Sequence, residues 1–139
     1  MSLLKHRKEI IAVDLDGTLA EYTGWKSIAH IGDPYPGAKE FMAELKSKGY
    51  ELVIYTARVS LFWNKELDIV VSYIRKWLAT HDIPYDSIYA GNGKVFADYY
   101  IDDKAVPCRP FIDKTAYSEA LAVIKEHHSN HRAKGRKCS

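Results

Sequence analysis

The sequence predicts an α/β protein, a three-layer sandwich around a mostly parallel, Rossmann-like sheet. Short apolar runs, each the length of a buried strand, alternate along the chain with longer stretches that carry apolar residues at helical spacing. That alternation is typical of parallel sheets covered by helices. Several of the runs are followed by polar residues, and such sheets bind ligands beyond the carboxyl ends of their strands. The same pattern therefore predicts both the architecture and the edge at which a site would lie.

The first elements are a buried strand, a loop and a helix. Residues 10–13 form a continuous apolar run without alternation, which favours a strand buried on both faces and ending at Asp14. Residues 19–36 combine glycines, prolines and aromatics without periodicity and are predicted to form a loop or small flap. A helical pattern then opens at Pro36 and stops at Gly49.

The rest of the chain repeats the alternation. A second apolar run is followed by an amphipathic stretch, and two shorter runs lead to a last helical pattern. The elements predicted here are a strand at 52–55, a helix from Leu67 to Leu78, a strand at 86–90, a turn at 91–93, a strand at 99–101 and a helix that includes residues 117–124.

Length and composition indicate a small globular protein. The 139 residues suit one domain, which we expect at 1–126, followed by a basic tail at 127–139 that we expect to be disordered. The two cysteines form no disulfide framework, and no stretch approaches the roughly 18 apolar residues of a membrane helix. We therefore expect a cytoplasmic protein with no membrane contact. The net charge of +2 leaves a nucleic-acid partner open.

Polar side chains gather at the predicted carboxyl edge of the sheet. Four of them are carboxylates, which repel one another unless a cation joins them. Oxygen ligands favour a hard ion, and Mg²⁺ is the expected cofactor. The residues at this edge are Asp14 and Asp16 after the first strand, Thr56 after the second, Lys94 after the third and its turn, and Asp102 and Asp103 after the fourth.

Three further groups could bind phosphate at the same edge. The Thr56 hydroxyl, the backbone N–H of Ala57 and the Lys94 ammonium are donors of the kind that hold phosphate oxygens. Carboxylates, Mg²⁺ and a phosphate clamp together indicate phosphoryl transfer. An aspartate can itself act as nucleophile in that chemistry and form an aspartyl-phosphate.

These residues, in this order, resemble the four motifs of the haloacid dehalogenase superfamily of phosphohydrolases. The resemblance runs from about residue 8 to residue 105. Its motifs are D-x-D-G-T at residues 14–18, the threonine of VIYTAR at Thr56, a lysine at Lys94, and the acidic pair of YYIDDKA at Asp102 and Asp103.

The resemblance implies a role for each residue. Asp14 would attack phosphorus, and Asp16 would protonate the leaving oxygen and then activate water. Thr56 and Lys94 would stabilise charge on the transferred phosphoryl group. The implied ligands of Mg²⁺ are Asp14, the backbone carbonyl of Asp16 and Asp102, and Asp103 would be either a further ligand or a residue that orients the ligands. An acid at position 16 favours phosphate chemistry over carbon–halogen chemistry.

The resemblance also bears on the substrate. Superfamily members often carry a cap after the first motif or between the second and third. Here residues 19–36 have room only for a flap, and residues 57–93 are filled by core elements. We therefore expect no large cap domain, and an uncapped site favours a phosphorylated macromolecule. Two alternatives stay open, a receiver-like phospho-acceptor and a catalytically inactive phosphate-binding protein, and the oligomeric state is open too.

Overall fold

The computed structural model describes residues 7–62 and 65–133, with the backbone alone for Leu61 and for 128–133. These residues form four strands and three α-helices, which alternate except that the fourth strand follows the third directly, and a 3₁₀ helix follows the second strand. Their bounds are β1 Ile10–Asp14, α1 Ala38–Ser47, β2 Glu51–Tyr55, the 3₁₀ helix Ala57–Leu61, α2 Lys65–Thr80, β3 Ser87–Ile88, β4 Tyr99–Ile101 and α3 Ala116–Ala133. None of the helices within these ranges is long and apolar enough to cross a membrane.

The four strands form one parallel sheet in the order β3-β2-β1-β4. The central strand β1 pairs along its whole length with β2, so that Asp14 lies beside Tyr55. On its other side Val13 lies beside Ile101, the last residue of β4. The carboxyl ends of β1, β2 and β4 therefore lie side by side at one edge of the sheet.

The two faces of the sheet are covered differently within the unit Met1–Asp103. Side chains of successive strand residues point to opposite faces. On one face, strand residues such as Val13 and Ile54 pack with Met42 of α1 and Ile74 of α2. On the other face, Ala12 and Val53 pack with Val95 and neighbouring tyrosines. Both helices of this unit thus contribute to the same core cluster.

The predicted fold class is confirmed: the protein is α/β, with an all-parallel sheet and no large cap domain among the residues that the structure describes. Residues 21–34 contain no helix and no strand longer than an isolated bridge, as expected for a flap. The third strand is shorter than predicted, covering Ser87–Ile88 rather than 86–90. It is an edge strand and therefore pairs with one neighbour, β2, where it lies beside Val53 and Ile54.

The chain divides into two compact units, Met1–Asp103 and Lys104–Ser139. In the second unit, α3 begins after a turn in which Asp113 accepts hydrogen bonds from the backbone N–H and the hydroxyl of Thr115. The helix continues to Ala133 and so includes the start of the predicted tail, while residues 134–139 lie outside the described ranges. The boundary of the domain at 126 stays a prediction.

Candidate active site

Buried side chains anchor the turn that follows β1 in the hydrophobic core. Leu15, Leu19 and Ala20 are at most 1% exposed, so the turn cannot move without disturbing the core. The backbone carbonyl of Leu15 accepts hydrogen bonds from the N–H groups of Thr18, Leu19 and Ala20. This arrangement holds the D-x-D-G-T segment in one conformation at the carboxyl edge.

Three carboxylates meet at this edge. One oxygen from each of Asp14, Asp102 and Asp103 can be chosen so that all three lie within 4.8 Å of one another. Asp14 ends β1, and the other two follow β4, the strand that pairs with it. Gly17 makes the close approach of Asp103 possible, because a Cβ on Gly17 would lie 2.6 Å from Asp103 Oδ2. A glycine is also suited to the backbone here, since Gly17 has φ +87°.

Thr18 joins the two acidic segments. Its hydroxyl accepts a hydrogen bond from the backbone N–H of Asp103 at 3.0 Å. The same oxygen lies 3.2 Å from Asp103 Oδ1 and 3.4 Å from Asp14 Oδ2, either of which can accept its proton. The threonine of the first motif therefore holds the acidic pair of the fourth against Asp14.

The electrostatics of the cluster favour a bound cation. Burial raises the pKa of Asp14 to about 7, and the contact with Asp103 and the charge of Asp102 add to the effect. Three carboxylates so close together are stable as anions only when a positive charge offsets their repulsion. All three side-chain donors are oxygens, which is the ligand type that Mg²⁺ prefers. The residues present thus fit the divalent ion that the sequence predicts.

Asp16 has a different environment from Asp14, although only one residue separates them. The guanidinium of Arg58 donates from Nε to Asp16 Oδ2 at 2.6 Å and from Nη2 to Oδ1 at 2.9 Å. Arg58 is 4% exposed, and the Asp16 side chain is 16% exposed. A paired fork of this kind gives both energy and a fixed geometry. The carboxylate of Asp16 is therefore neutralised by the protein itself.

Arg58 also connects this ion pair to the flap. Its Nη2 donates to the backbone carbonyl of His30 at 2.8 Å, and Nη1 donates to that of Ser27 at 3.4 Å. The ring of Trp25 lies over the guanidinium, 5.0 Å from its central carbon. On the basis of sequence, Arg58 could contact substrate or pair with an acid in a surface loop. The structure shows that it pairs with an acid, and that it is buried.

Tyr55, at the end of β2, contacts the cluster from the other side. Its hydroxyl donates to Asp102 Oδ2 at 2.6 Å, and its ring packs edge-to-face against Tyr100 with a centroid distance of 6.1 Å. Burial and this hydrogen bond to a carboxylate raise the pKa of Tyr55 well above its usual range. The tyrosine is therefore a neutral hydrogen-bond donor at any physiological pH.

Two of the predicted phosphate-binding residues, Thr56 and Ala57, lie where β2 gives way to the 3₁₀ helix, and the third, Lys94, lies in the loop between β3 and β4. Thr56 is buried, and its hydroxyl caps the 3₁₀ helix by accepting the backbone N–H of Arg58 at 3.2 Å. Ala57 is the first residue of that helix and is exposed. Lys94 is exposed as well, with its ammonium 4.9 Å from the centre of the Tyr100 ring. Phosphate binding by these three residues stays a prediction.

The structure therefore brings together Asp14, Asp102 and Asp103, and it places Asp16 beside them in an ion pair. Sequence reasoning did not identify Thr18 as a link, Tyr55 as a donor to Asp102, or Arg58 as the partner of Asp16. A signal existed for Tyr55: it is polar at the end of an apolar strand, at the same edge as the acids. No comparable signal marks Arg58, whose flap partners are backbone carbonyls.

Comparison with known proteins gives structural similarity only. No protein-family model matches the chain, and no curated protein matches it. A solved structure from Vibrio cholerae is 28% identical over 82% of this chain and 98% of its own, with a TM-score of 0.52. A conserved protein from Bacteroides thetaiotaomicron is 22% identical over 81% of this chain and 93% of its own, with a TM-score of 0.51.

A third solved structure is a D,D-heptose 1,7-bisphosphate phosphatase from B. bronchiseptica complexed with magnesium and phosphate. It is 17% identical over 86% of this chain and 64% of its own, with a TM-score of 0.41. The solved structures similar to this chain include haloacid dehalogenase proteins. The fold implied by the resemblance to that superfamily is confirmed, and it is supported by the two structures with TM-scores above 0.5.

Proposed function

We propose that the protein is a Mg²⁺-dependent phosphatase that hydrolyses a phosphomonoester through a phosphorylated Asp14. The observation that carries the proposal is the convergence of Asp14, Asp102 and Asp103 around a point that one cation could occupy. When bound there, Mg²⁺ would offset the negative charge of the carboxylates and of the phosphoryl group. The backbone carbonyl of Asp16 would be a further ligand.

The residues divide the reaction into two steps. In the first, a carboxylate oxygen of Asp14 forms a bond to phosphorus as the bond to the ester oxygen breaks, and that oxygen takes a proton from Asp16. In the second, water attacks phosphorus and gives a proton to Asp16 while the bond to Asp14 breaks. The ion pair with Arg58 fits the carboxylate that the second step requires, whereas the first step requires Asp16 as the protonated acid.

Donors around the site would hold the phosphoryl group. Thr56, the backbone N–H of Ala57 and Lys94 would stabilise its charge as the bonds to phosphorus change. Within the described residues, no large cap domain is inserted after the first motif or between the second and the third. Phosphorylated macromolecules are therefore the substrates we favour, and a phosphorylated nucleic-acid end is one of them.

An assay with a generic aryl phosphate and Mg²⁺ tests the proposal. Asp14→Asn is expected to lower kcat by about 1,000-fold or more, because it removes the nucleophile and a metal ligand. Asp68→Asn, which changes an exposed aspartate of α2, is the matched control and should keep full activity. Full activity in Asp14→Asn contradicts the proposal.

Two other outcomes would favour the alternatives. Stable phosphorylation of Asp14 with no turnover would indicate a receiver-like protein. Absence of Mg²⁺ binding in a calorimetric titration of the wild-type protein would indicate an inactive phosphate-binding protein. A screen across nucleotides, sugar phosphates and phosphorylated nucleic-acid ends would then identify the substrate class.

A further inference from the structure

We infer that Tyr55 is a positioning residue for the metal site, which fixes the carboxyl group of Asp102 by a hydrogen bond from the opposite side of β1. The inference rests on the proposed function, since it concerns the same cation. It adds a residue outside the four motifs. It also explains why a tyrosine, rather than another apolar residue, ends β2.

The register of the sheet explains how the Tyr55 side chain can contact Asp102. Tyr55 lies beside Asp14, and Asp102 directly follows Ile101, which lies beside Val13. Tyr55, Asp14 and Asp102 are therefore at equivalent positions along the three neighbouring chain segments, at the carboxyl ends of β2, β1 and β4. Neighbouring strands are about 4.8 Å apart, so Tyr55 and Asp102 start about 10 Å from each other. A serine or asparagine at position 55 is too short to span that gap.

The face of the sheet between them has room for a ring. Ala12 precedes Asp14 by two residues on β1, so the two side chains are on the same face. Ala12 has only a methyl side chain and is fully buried. Tyr100 lies beside Ala12 in the register and packs edge-to-face against Tyr55, with the ring planes at 87°. The phenol is therefore supported on one side by a second aromatic ring. Its hydroxyl donates at 2.6 Å, a length typical of a strong bond to a carboxylate.

The chemistry of the donor fits a metal site. A phenol holds a carboxylate in one orientation without adding positive charge, so the acidic cluster keeps its attraction for a cation. Arg58 does the opposite for Asp16, since a guanidinium neutralises the carboxylate that it orients. Hydrogen bonds that orient metal ligands in this way commonly change metal affinity by 10–100-fold when removed.

Calorimetric titration with Mg²⁺ alone tests the inference. Tyr55→Phe keeps the ring and its contact with Tyr100 but removes the donor, and we expect it to weaken Mg²⁺ binding about 10-fold. Tyr89→Phe is the matched control, because the Tyr89 hydroxyl donates to the carbonyl of Asn92 and its ring lies on the same face of the sheet. This control should bind Mg²⁺ as the wild type does.

Activity gives a second readout that a merely structural role would not change. Raising the Mg²⁺ concentration about 10-fold should restore the kcat of Tyr55→Phe toward the wild-type value. An affinity for Mg²⁺ within twofold of the wild type in Tyr55→Phe overturns the inference and leaves the proposed function standing. Failure of the wild-type protein itself to bind Mg²⁺ overturns the proposed function.

Discussion

The two aspartates of the D-x-D-G-T motif share a turn and differ in what neutralises them. Asp14 lies among other carboxylates, and its pKa is raised to about 7 because burial and negative charge both oppose ionisation. Asp16 accepts two hydrogen bonds from a buried arginine. The protein therefore supplies a cation to one acid, and in our proposal an ion from solution offsets the charge of the other.

The difference arises because successive side chains along β1 and the turn after it point in different directions. Asp14 is the last residue of β1, and its side chain is on the face of Ala12, toward the carboxylates that follow β4. Asp16 follows the buried Leu15. Its carboxylate contacts Arg58, the second residue of the 3₁₀ helix that follows β2. The proposed metal ligand and the proposed proton-transfer group are therefore two residues apart and have separate partners.

Removing the internal cation is expected to have the largest effect on stability. Arg58→Ala would leave the partly buried carboxylate of Asp16 without its partner, and the carbonyls of Ser27 and His30 would lose a donor. We expect the free energy of unfolding to fall by about 3 kcal/mol. Urea denaturation measures it.

The control for this prediction is an exposed ion pair. Lys48→Ala removes a contact to Glu44 at 3.8 Å between side chains that are 60% and 68% exposed, and it should change stability by less than about 1 kcal/mol. If Arg58→Ala were no more destabilising than Lys48→Ala, the buried pair would contribute little, and the contrast with Asp14 would lose its basis.

Neutralising the other aspartate is expected to act in the opposite direction. In the metal-free protein, Asp14→Asn removes a charge that the fold disfavours, so stability at pH 7.5 should rise by about 1–2 kcal/mol after allowance for screening. The folded-state pKa of about 7 lies above the unfolded value near 4. The wild type therefore loses stability as pH rises from about 4 to about 7, and the variant does not.

Thermal or urea unfolding at a series of pH values, with a chelator present, checks this prediction. The gain from Asp14→Asn should shrink as pH falls and approach zero at about pH 3, below both the folded-state and the unfolded-state pKa of Asp14. Saturating Mg²⁺ should also reverse the order, because the wild type then gains binding energy that the variant lacks. A variant less stable than the metal-free wild type at pH 7.5 would contradict the account of the acidic cluster.

Of the four acids expected at this edge, three have carboxylate oxygens close to one another, Asp14, Asp102 and Asp103, and the reason is geometric. In a parallel sheet the carboxyl ends of the strands share an edge, so residues that follow Val13 and Ile101 must be neighbours once β1 pairs with β4. The same argument predicts that Thr56, which follows β2, lies at the edge where these acids lie. Its predicted role in binding phosphate still awaits a test.

The contacts of Arg58 and Tyr55 could not be predicted in this way. Arg58 is fixed by carbonyls of the flap, and a loop without periodicity gives no information about where its backbone will lie. Tyr55 bonds to a residue two strands away, which requires the order β2-β1-β4 to be known first. The strand order depends on tertiary packing.

A third aspartate, Asp86, extends the comparison to a site away from the active edge. Its carboxylate accepts hydrogen bonds from the backbone N–H of Leu52 and from the Lys46 ammonium, both at 2.7 Å. Desolvation opposes ionisation here as well, yet these two donors outweigh it and lower the pKa of Asp86. Because the folded-state pKa lies below the unfolded value, Asp86 stabilises the fold above about pH 4, and this contribution is lost as pH falls through the folded-state pKa.

Asp86→Asn should therefore give the smallest of these effects and the opposite sign to Asp14→Asn. We expect a modest loss of stability at pH 7, because an amide oxygen accepts the Leu52 N–H but does not attract Lys46 as a carboxylate does. That loss should diminish below pH 4, whereas the gain from Asp14→Asn grows above it. Unfolding curves of both variants and the wild type at pH 3, 5 and 7.5 measure the two trends together. A loss in Asp86→Asn that stays constant from pH 7.5 to pH 3 would show that the carboxylate charge has no part in it.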